Sequence, residues 1–322
     1  MRSSRFGILL LVVLAVITTT NCAYFNKIVT RKNLVDGAEA YKGRKFAEAE
    51  ELFRRAAARD PEGTTLEGRT AQLFLARTIH SRYIGNRKET PLAEQAIEEY
   101  KKVLVVDPNE QSAYKAVAGL LENLQKNDQW EAWVKERSQN TQINNEYRAE
   151  ALTSLAVKQY NCANEITDTD KTKKEGKRDG KDVFIYVKPE NAADLERLRA
   201  CVTQGTALID QAVALETDEV KNMKGLDLKA VSDADLVKNH ELVKSFESTR
   251  SYKASLLIQA SRLAEMEGNE PDAARLRTEA ETARAQFQEL SGVSRNMQTE
   301  IDERKAAAEA AEKEAANSNS AS

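Results

Sequence analysis

The sequence predicts an all-α fold: an open stack of helix-turn-helix hairpins, a solenoid, with one charged loop inserted. Three observations lead there. Helix breakers are scarce, with 5 Pro and 13 Gly among 322 residues, while Ala, Glu, Lys and Leu abound. Apolar residues recur at helical spacing along most of the chain. Two segments repeat each other in phase and both close on Asp-Pro, at Asp60-Pro61 and Asp107-Pro108.

The first element is a leader. Arg2 and Arg5 precede an apolar run from Phe6 to Ile17, which only Gly7 interrupts. That run fits the core of a signal peptide and falls short of the roughly 20 residues a membrane-spanning helix needs. Cys22 stands just beyond it. The arrangement resembles the lipobox of bacterial lipoproteins, in which the thiol takes a diacylglycerol and becomes the mature N-terminus. The family favours an aliphatic residue and a small one where Thr19 and Asn21 stand. The resemblance implies a signal peptide over residues 1–21, lipidation at Cys22, a tether over 22–30 and a membrane anchor through the N-terminal lipid. An uncleaved anchor, or an ordinary secretory signal with an incidental Cys, is the alternative. Ala23 after the Cys, in place of Asp, implies an outer-membrane lipoprotein of the bacterial cell envelope facing the periplasm.

Past the leader the chain is polar, with 31% charged residues and a mean hydropathy of −0.59. Removing residues 1–21 takes two Arg and no acid, moving the formal charge from −3 to −5. Nucleic-acid binders usually carry a strong basic surplus, so no nucleic-acid partner is expected.

The repeats begin with "DGAEAYKGRKFAEAEELFRRAAARDPEG", residues 36–63. Gly37 and Ala49 are small enough to let two helices approach. Phe46, Phe53 and Ala56 share a face of the second helix, and Pro61 is expected to stop it. The next copy pairs "AQLFLARTIHSRYI" with "PLAEQAIEEYKKVLVVDP", placing Ala76, Ala96, Tyr100 and Pro108 in phase, across a turn near residues 85–90 that is longer than usual. A third copy is looser: Trp130 and Trp133 stand where smaller residues are usual, and at least one of them is expected in the core. A fourth first helix is "AEALTSLAVKQYNCA". These spacings resemble the tetratricopeptide repeat (TPR), a hairpin of about 34 residues, over residues 31–163.

Residues 164–192 break the helical period with "TDTDKTKKEGKRDGKDVFIYVKP", in which Val183 to Val187 is β-prone. A solvated loop is expected here; a partner-docking flap or a basic contact with lipid headgroups is the functional alternative. Asp168 and Asp170 lack the Gly and distal Glu of a calcium loop. Helical hairpins, TPR-like, resume over 193–300, with Ser232 and Asp235 as a capping pair and Gly268 and Pro271 punctuating the last turn. Residues 301–322 are Ala/Glu-rich and are expected to form a solvated helix fraying into a disordered tail.

Chemistry finds no foothold in these residues. His80 and His240 stand far apart, "HELVK" lacks a second metal-binding His, and no phosphate loop or nucleophile elbow occurs. No catalytic residue, cofactor or metal is expected, so the chain is read as no enzyme. With Cys22 acylated, Cys162 and Cys201 remain as a disulfide pair or as two buried thiols. The resemblance to TPR proteins implies a concave face lined by Tyr41, Lys42, Arg77, His80, Ser81, Lys115, Glu122, Asn123, Tyr160 and Asn161, suited to an extended peptide or a helix of a protein partner. The implied function is a scaffold at the outer membrane in envelope assembly or secretion. The first repeats resemble, in architecture, the TPR lipoprotein of the β-barrel assembly machine. A pilotin-like escort of a pilus or secretion component is the alternative, and a periplasmic enzyme or small-molecule binder a further one.

Overall fold

The structure, a computed structural model, describes residues 26–178 and 180–320, with side chains through 315. The leader and Cys22 lie outside the described residues. Among the described residues the chain is helical apart from its turns and one two-stranded sheet. The chain divides into two compact units, one ending at Trp130 and the other beginning at Glu131.

The first unit contains α1 (helical over 26–42), α2 (Phe46–Ala57), α3 (Leu66–Gly85), α4 (Thr90–Val106) and α5 (Gln111–Asn123). Helix α6 (Asn127–Gln139) carries the point of division. Close approach of α1 and α2 depends on Gly37: a Cβ there would lie 2.8 Å from the ring of Phe53. Phe53, Ala49 and Ala56 are buried, and the Phe53 ring sits 5.4 Å from that of Phe74 on α3.

Neighbouring helices run antiparallel, as the α2–α3 contacts Glu50–Arg82 and Phe53–Phe74 require. Alternate helices run parallel. Arg31 meets Glu67 and Tyr41 meets Ser81 between α1 and α3, offsets of 36 and 40 residues. Arg77 meets Ser112, and Arg87 just past α3 meets Asn123, offsets of 35 and 36.

Three hairpin turns share one C-cap. In the turn after α1, the amide of Lys45 donates to Ala40 O and that of Arg44 to Tyr41 O, with Arg44 left-handed at φ 57°. The same pair of bonds closes α5 at Gln125 (φ 57°) and the later helix α10 at Gly268 (φ 80°). This is the Schellman arrangement, in which a left-handed residue lets two amides satisfy the last carbonyls of the helix.

The expected role of Pro61 needs correcting. Helix α2 ends at Ala57, so Pro61 does not stop it but lies in the turn beyond. There the Asp60 carboxylate accepts from the amides and hydroxyls of both Thr64 and Thr65, and Thr65 caps α3. Burial raises the Asp60 pKa, and the Thr65 and Thr64 hydrogen bonds more than offset it, leaving about 2. Gly68 makes room for this carboxylate, since a Cβ would sit 2.1 Å from its Oδ2. The turn expected near residues 85–90 is present as the four residues 86–89. Helix α3 runs to Gly85, through the expected "AQLFLARTIHSRYI", and α4 starts at Thr90 with Pro91 in its first turn.

The second unit packs α7 (Asn145–Thr167), α8 (Ala192–Ala214), α10 (Asp233–Met266) and α11 (Glu270–Ser320), with the short α9 (Asp218–Asn222) and two 3-10 turns between α8 and α10. Helices α7 and α8 are antiparallel, with the Cys162 and Cys201 Cα atoms 6.1 Å apart. Helix α10 lies parallel to α7 through a buried polar ladder. Thr153 bonds Thr249 at 2.8 Å, Gln259 joins Thr167 and Asn164, and Arg262 donates to Thr167. Around it pack Leu152, Ile209, Phe246 and Leu256, all buried. Ser232 caps α10 by accepting from the Asp235 amide.

The inserted segment is not a loop. It forms an antiparallel hairpin, β1 (Lys173–Arg178) with β2 (Lys181–Tyr186), in the register Lys173↔Tyr186 to Arg178↔Lys181. The β-prone run pairs with "KKEGKR", whose charged residues show no apolar alternation. The Ala/Glu-rich segment expected to be helical is helical to Ser320 as an unbroken continuation of α11, but its first residues are packed rather than solvated. Ile301 is buried, and the Arg304 guanidinium donates to Leu228 O, Val231 O and Asp233. Side chains from 305 to 315 are exposed along the continuing helix.

Candidate partner-binding face

The face built by α1, α3 and α5 holds most of the expected contact residues. Because these helices are parallel and in register, equivalent positions line up as a row across them. The Tyr41 hydroxyl lies 2.9 Å from Ser81 Oγ, which also donates to Arg77 O. The Tyr41 ring meets those of Phe46 and Phe74 edge to face, at 5.3 and 6.5 Å. Arg77 lies over Phe74, with its guanidinium carbon 5.5 Å from the ring centre, and donates to Ser112. Lys42, Lys115, Glu122 and Asn123 are exposed. The row is thus an aromatic patch under a mainly basic rim of Lys42, Arg77, Arg87 and Lys115, with Glu122 the acidic member.

Three of the ten expected residues belong elsewhere. His80 is half-buried and turned to α4, its Nδ1 3.3 Å from the Tyr100 hydroxyl. Burial, then the nearby Arg87, lowers its pKa, and burial raises that of Tyr100, so both are neutral near pH 7. Helix α4 packs on this side of α3, so His80 faces the partner of the hairpin. Tyr160 and Asn161 stand on α7, in the second unit. There Tyr160 packs on the core with its ring 5.7 Å from that of Tyr252, and Asn161 is exposed. The ten residues are therefore divided, eight on α1, α3 and α5 of the first unit and two on α7 of the second.

Phe74, Arg87 and Ser112 join the face without having been expected there. Each lies about one repeat from an expected residue, Phe74 33 from Tyr41, Ser112 35 from Arg77 and Arg87 36 from Asn123, so that spacing is the signal that could have found them. Of the two tryptophans, Trp130 is buried and Trp133 half-buried.

A second feature lies at the base of the β-hairpin. Cys162 and Cys201 are joined as a disulfide between the last turns of α7 and the first half of α8. Above it Arg262 stacks on the Tyr186 ring at 4.6 Å. Glu265 accepts from the Tyr186 amide at 3.2 Å and pairs with Arg178 at 2.7 Å and Arg277 at 3.4 Å.

A third is a groove of about 170 Å³ beside the Asp60 turn, with Leu66, Leu73, Val103 and Val106 as its apolar wall and Arg69 and Lys102 on the rim. Among the described residues, no three His, Cys, Asp or Glu side chains converge as metal ligands. No described helix is long and apolar enough to cross a membrane. No protein-family model matches the chain, and comparison with curated proteins finds no significant relative.

Proposed function

We propose that this chain is a non-catalytic TPR-type scaffold, tethered as a lipoprotein through Cys22, that holds a protein partner at the periplasmic side of the outer membrane. The observation carrying this reading is the parallel register of α1, α3 and α5 at offsets of 35–40 residues, close to the 34-residue period of the repeat. Such stacking aligns side chains from successive hairpins into one extended row, which suits a peptide or a helix better than a small molecule. The Tyr41–Phe74–Arg77 patch supplies the aromatic and guanidinium groups that dominate protein interfaces.

Two measurements test the proposal. Fatty-acid labelling of the intact chain should be lost in Cys22→Ser, and an unacylated, uncleaved chain would defeat the lipoprotein part. Photo-crosslinkers at positions 42 and 115 should capture the same protein, and R77A should weaken that capture. A barrel-assembly component favours envelope assembly; a secretin or pilus protein favours the escort role. Turnover of a substrate by the purified chain would overturn the scaffold class.

A further inference from the structure

The β-hairpin inverts the charge of the molecule that carries it. Residues 171–188 hold seven Lys or Arg against three Asp or Glu, in a chain whose formal charge is −3. The cations are also divided by type. The one arginine, Arg178, is turned inward to Glu265 and Glu270. Lys171, Lys174, Lys177, Lys181 and Lys188 are exposed. Among them stands Phe184, 51% exposed, with Lys173 Nζ 4.3 Å from its ring centre, and Val187 is exposed next to the sheet.

Register explains the placing. Phe184 is opposite Glu175 and shares its face with Lys173, Tyr186, Lys177 and Asp182. Val183 and Ile185 take the other, half-buried face with Gly176, from whose edges the exposed Lys174 and Lys181 reach solvent. A Cβ at Gly176 would lie 2.2 Å from Ile185 Cδ1, so the glycine lets that face close. The Tyr186–Arg262 stack, the Glu265 bonds and the disulfide then fix the hairpin at its base.

We propose that this hairpin docks on an anionic phospholipid surface, with Phe184 entering the headgroup region and the exposed lysines contacting phosphates. Flexible ammonium groups suit a field of delocalised phosphates, whereas fixed recognition of a carboxylate or phosphate usually employs the planar fork of arginine. An aromatic ring flanked by snorkelling lysines matches the polarity gradient of a bilayer interface. Glu175 and Asp182 oppose this binding, and Lys171, Lys174 and Lys177 exchange Glu190, the Asp170 carbonyl and Asp182 for phosphates in making it.

The test reads the depth of position 184, so it does not rest on acylation of Cys22 or on the scaffold reading. The full chain with Phe184→Trp is mixed with vesicles carrying brominated acyl chains. One set is pure phosphatidylcholine and the other contains phosphatidylglycerol. The parent protein reports the background of Trp130 and Trp133. Added quenching from the F184W indole is expected on the anionic vesicles alone and is lost near 1 M salt, where the screening length is about 3 Å. K174Q, K177Q and K181Q together should weaken the interaction roughly a hundred-fold, about five-fold for each lysine. E175Q should strengthen it. All four positions are exposed, so circular dichroism should be unchanged. Equal quenching on both vesicles, or no effect of the triple variant, would overturn the proposal. Absence of quenching together with protection of the lysines by a soluble acidic protein would overturn it in favour of a protein partner.

Discussion

In the first unit, parallel helices meet at offsets of 35–40 residues. In the second, α7 and α10 meet at 92–96. Both units set antiparallel neighbours beside a parallel next-but-one helix. What differs is how the register is held. Short helices of 12 to 20 residues in the first unit pack through alanines and one aromatic cluster, with ion pairs and capped turns at their ends. Helices of 23 and 34 residues, α7 and α10, could slip by a turn. A buried Thr–Thr, Thr–Gln–Asn and Arg–Thr ladder opposes that, because each misaligned rung would leave polar groups unsatisfied. The lesson is that long helices need polar teeth, whereas short ones are placed by their turns.

The contrast can be broken most strongly at Phe53. F53A should destabilise the first unit by about 3–5 kcal/mol, with hydrogen exchange showing protection lost in α1–α3 and kept along α10. Loss of protection in α10 first would refute the division of the core. Next is the crosslink. Reduction of Cys162–Cys201, 39 residues apart, should cost about 2–4 kcal/mol in urea unfolding, and exchange should quicken around β1 and β2. Two titratable thiols in the unreduced, denatured protein would remove the crosslink from the account.

Asp60 gives a smaller effect confined to the first unit. D60N should cost about 1 kcal/mol by weakening the Thr64 and Thr65 bonds. With a folded pKa of about 2 against an ordinary 3.8, the carboxylate contributes stability above pH 4 that is lost as the pH falls toward 2. A side-chain titration midpoint near 4 would count against the four-bond geometry. Smallest is Gln125→Gly. It frees a left-handed position from its Cβ and should raise stability by up to about 1 kcal/mol; no gain in melting temperature would argue against the shared C-cap.

Legibility followed the same division. Helices of the first unit could be read because small and aromatic residues recur at a period close to the observed offset, and because Gly37 marks the closest approach. The cap at Ser232 and the stop at Gly268 were readable for local reasons, each using the side chain or conformation of one residue. Strand β1 could not be read, since "KKEGKR" carries neither β-branched residues nor alternation and is held by its partner and by Glu265. His80 and Tyr160 were assigned to an open face by repeat phase. Phase places a residue along a helix, but the helix packed against it decides which side is covered: α4 takes His80, and α10 takes Tyr160.

The bond between Cys162 and Cys201 has a consequence for how the hairpin can be handled. Its whole segment hangs from one covalent ring, so a protease that cuts at the exposed tip opens the ring without severing the molecule. Both fragments would migrate together through a denaturing gel, and only thiol treatment would part them.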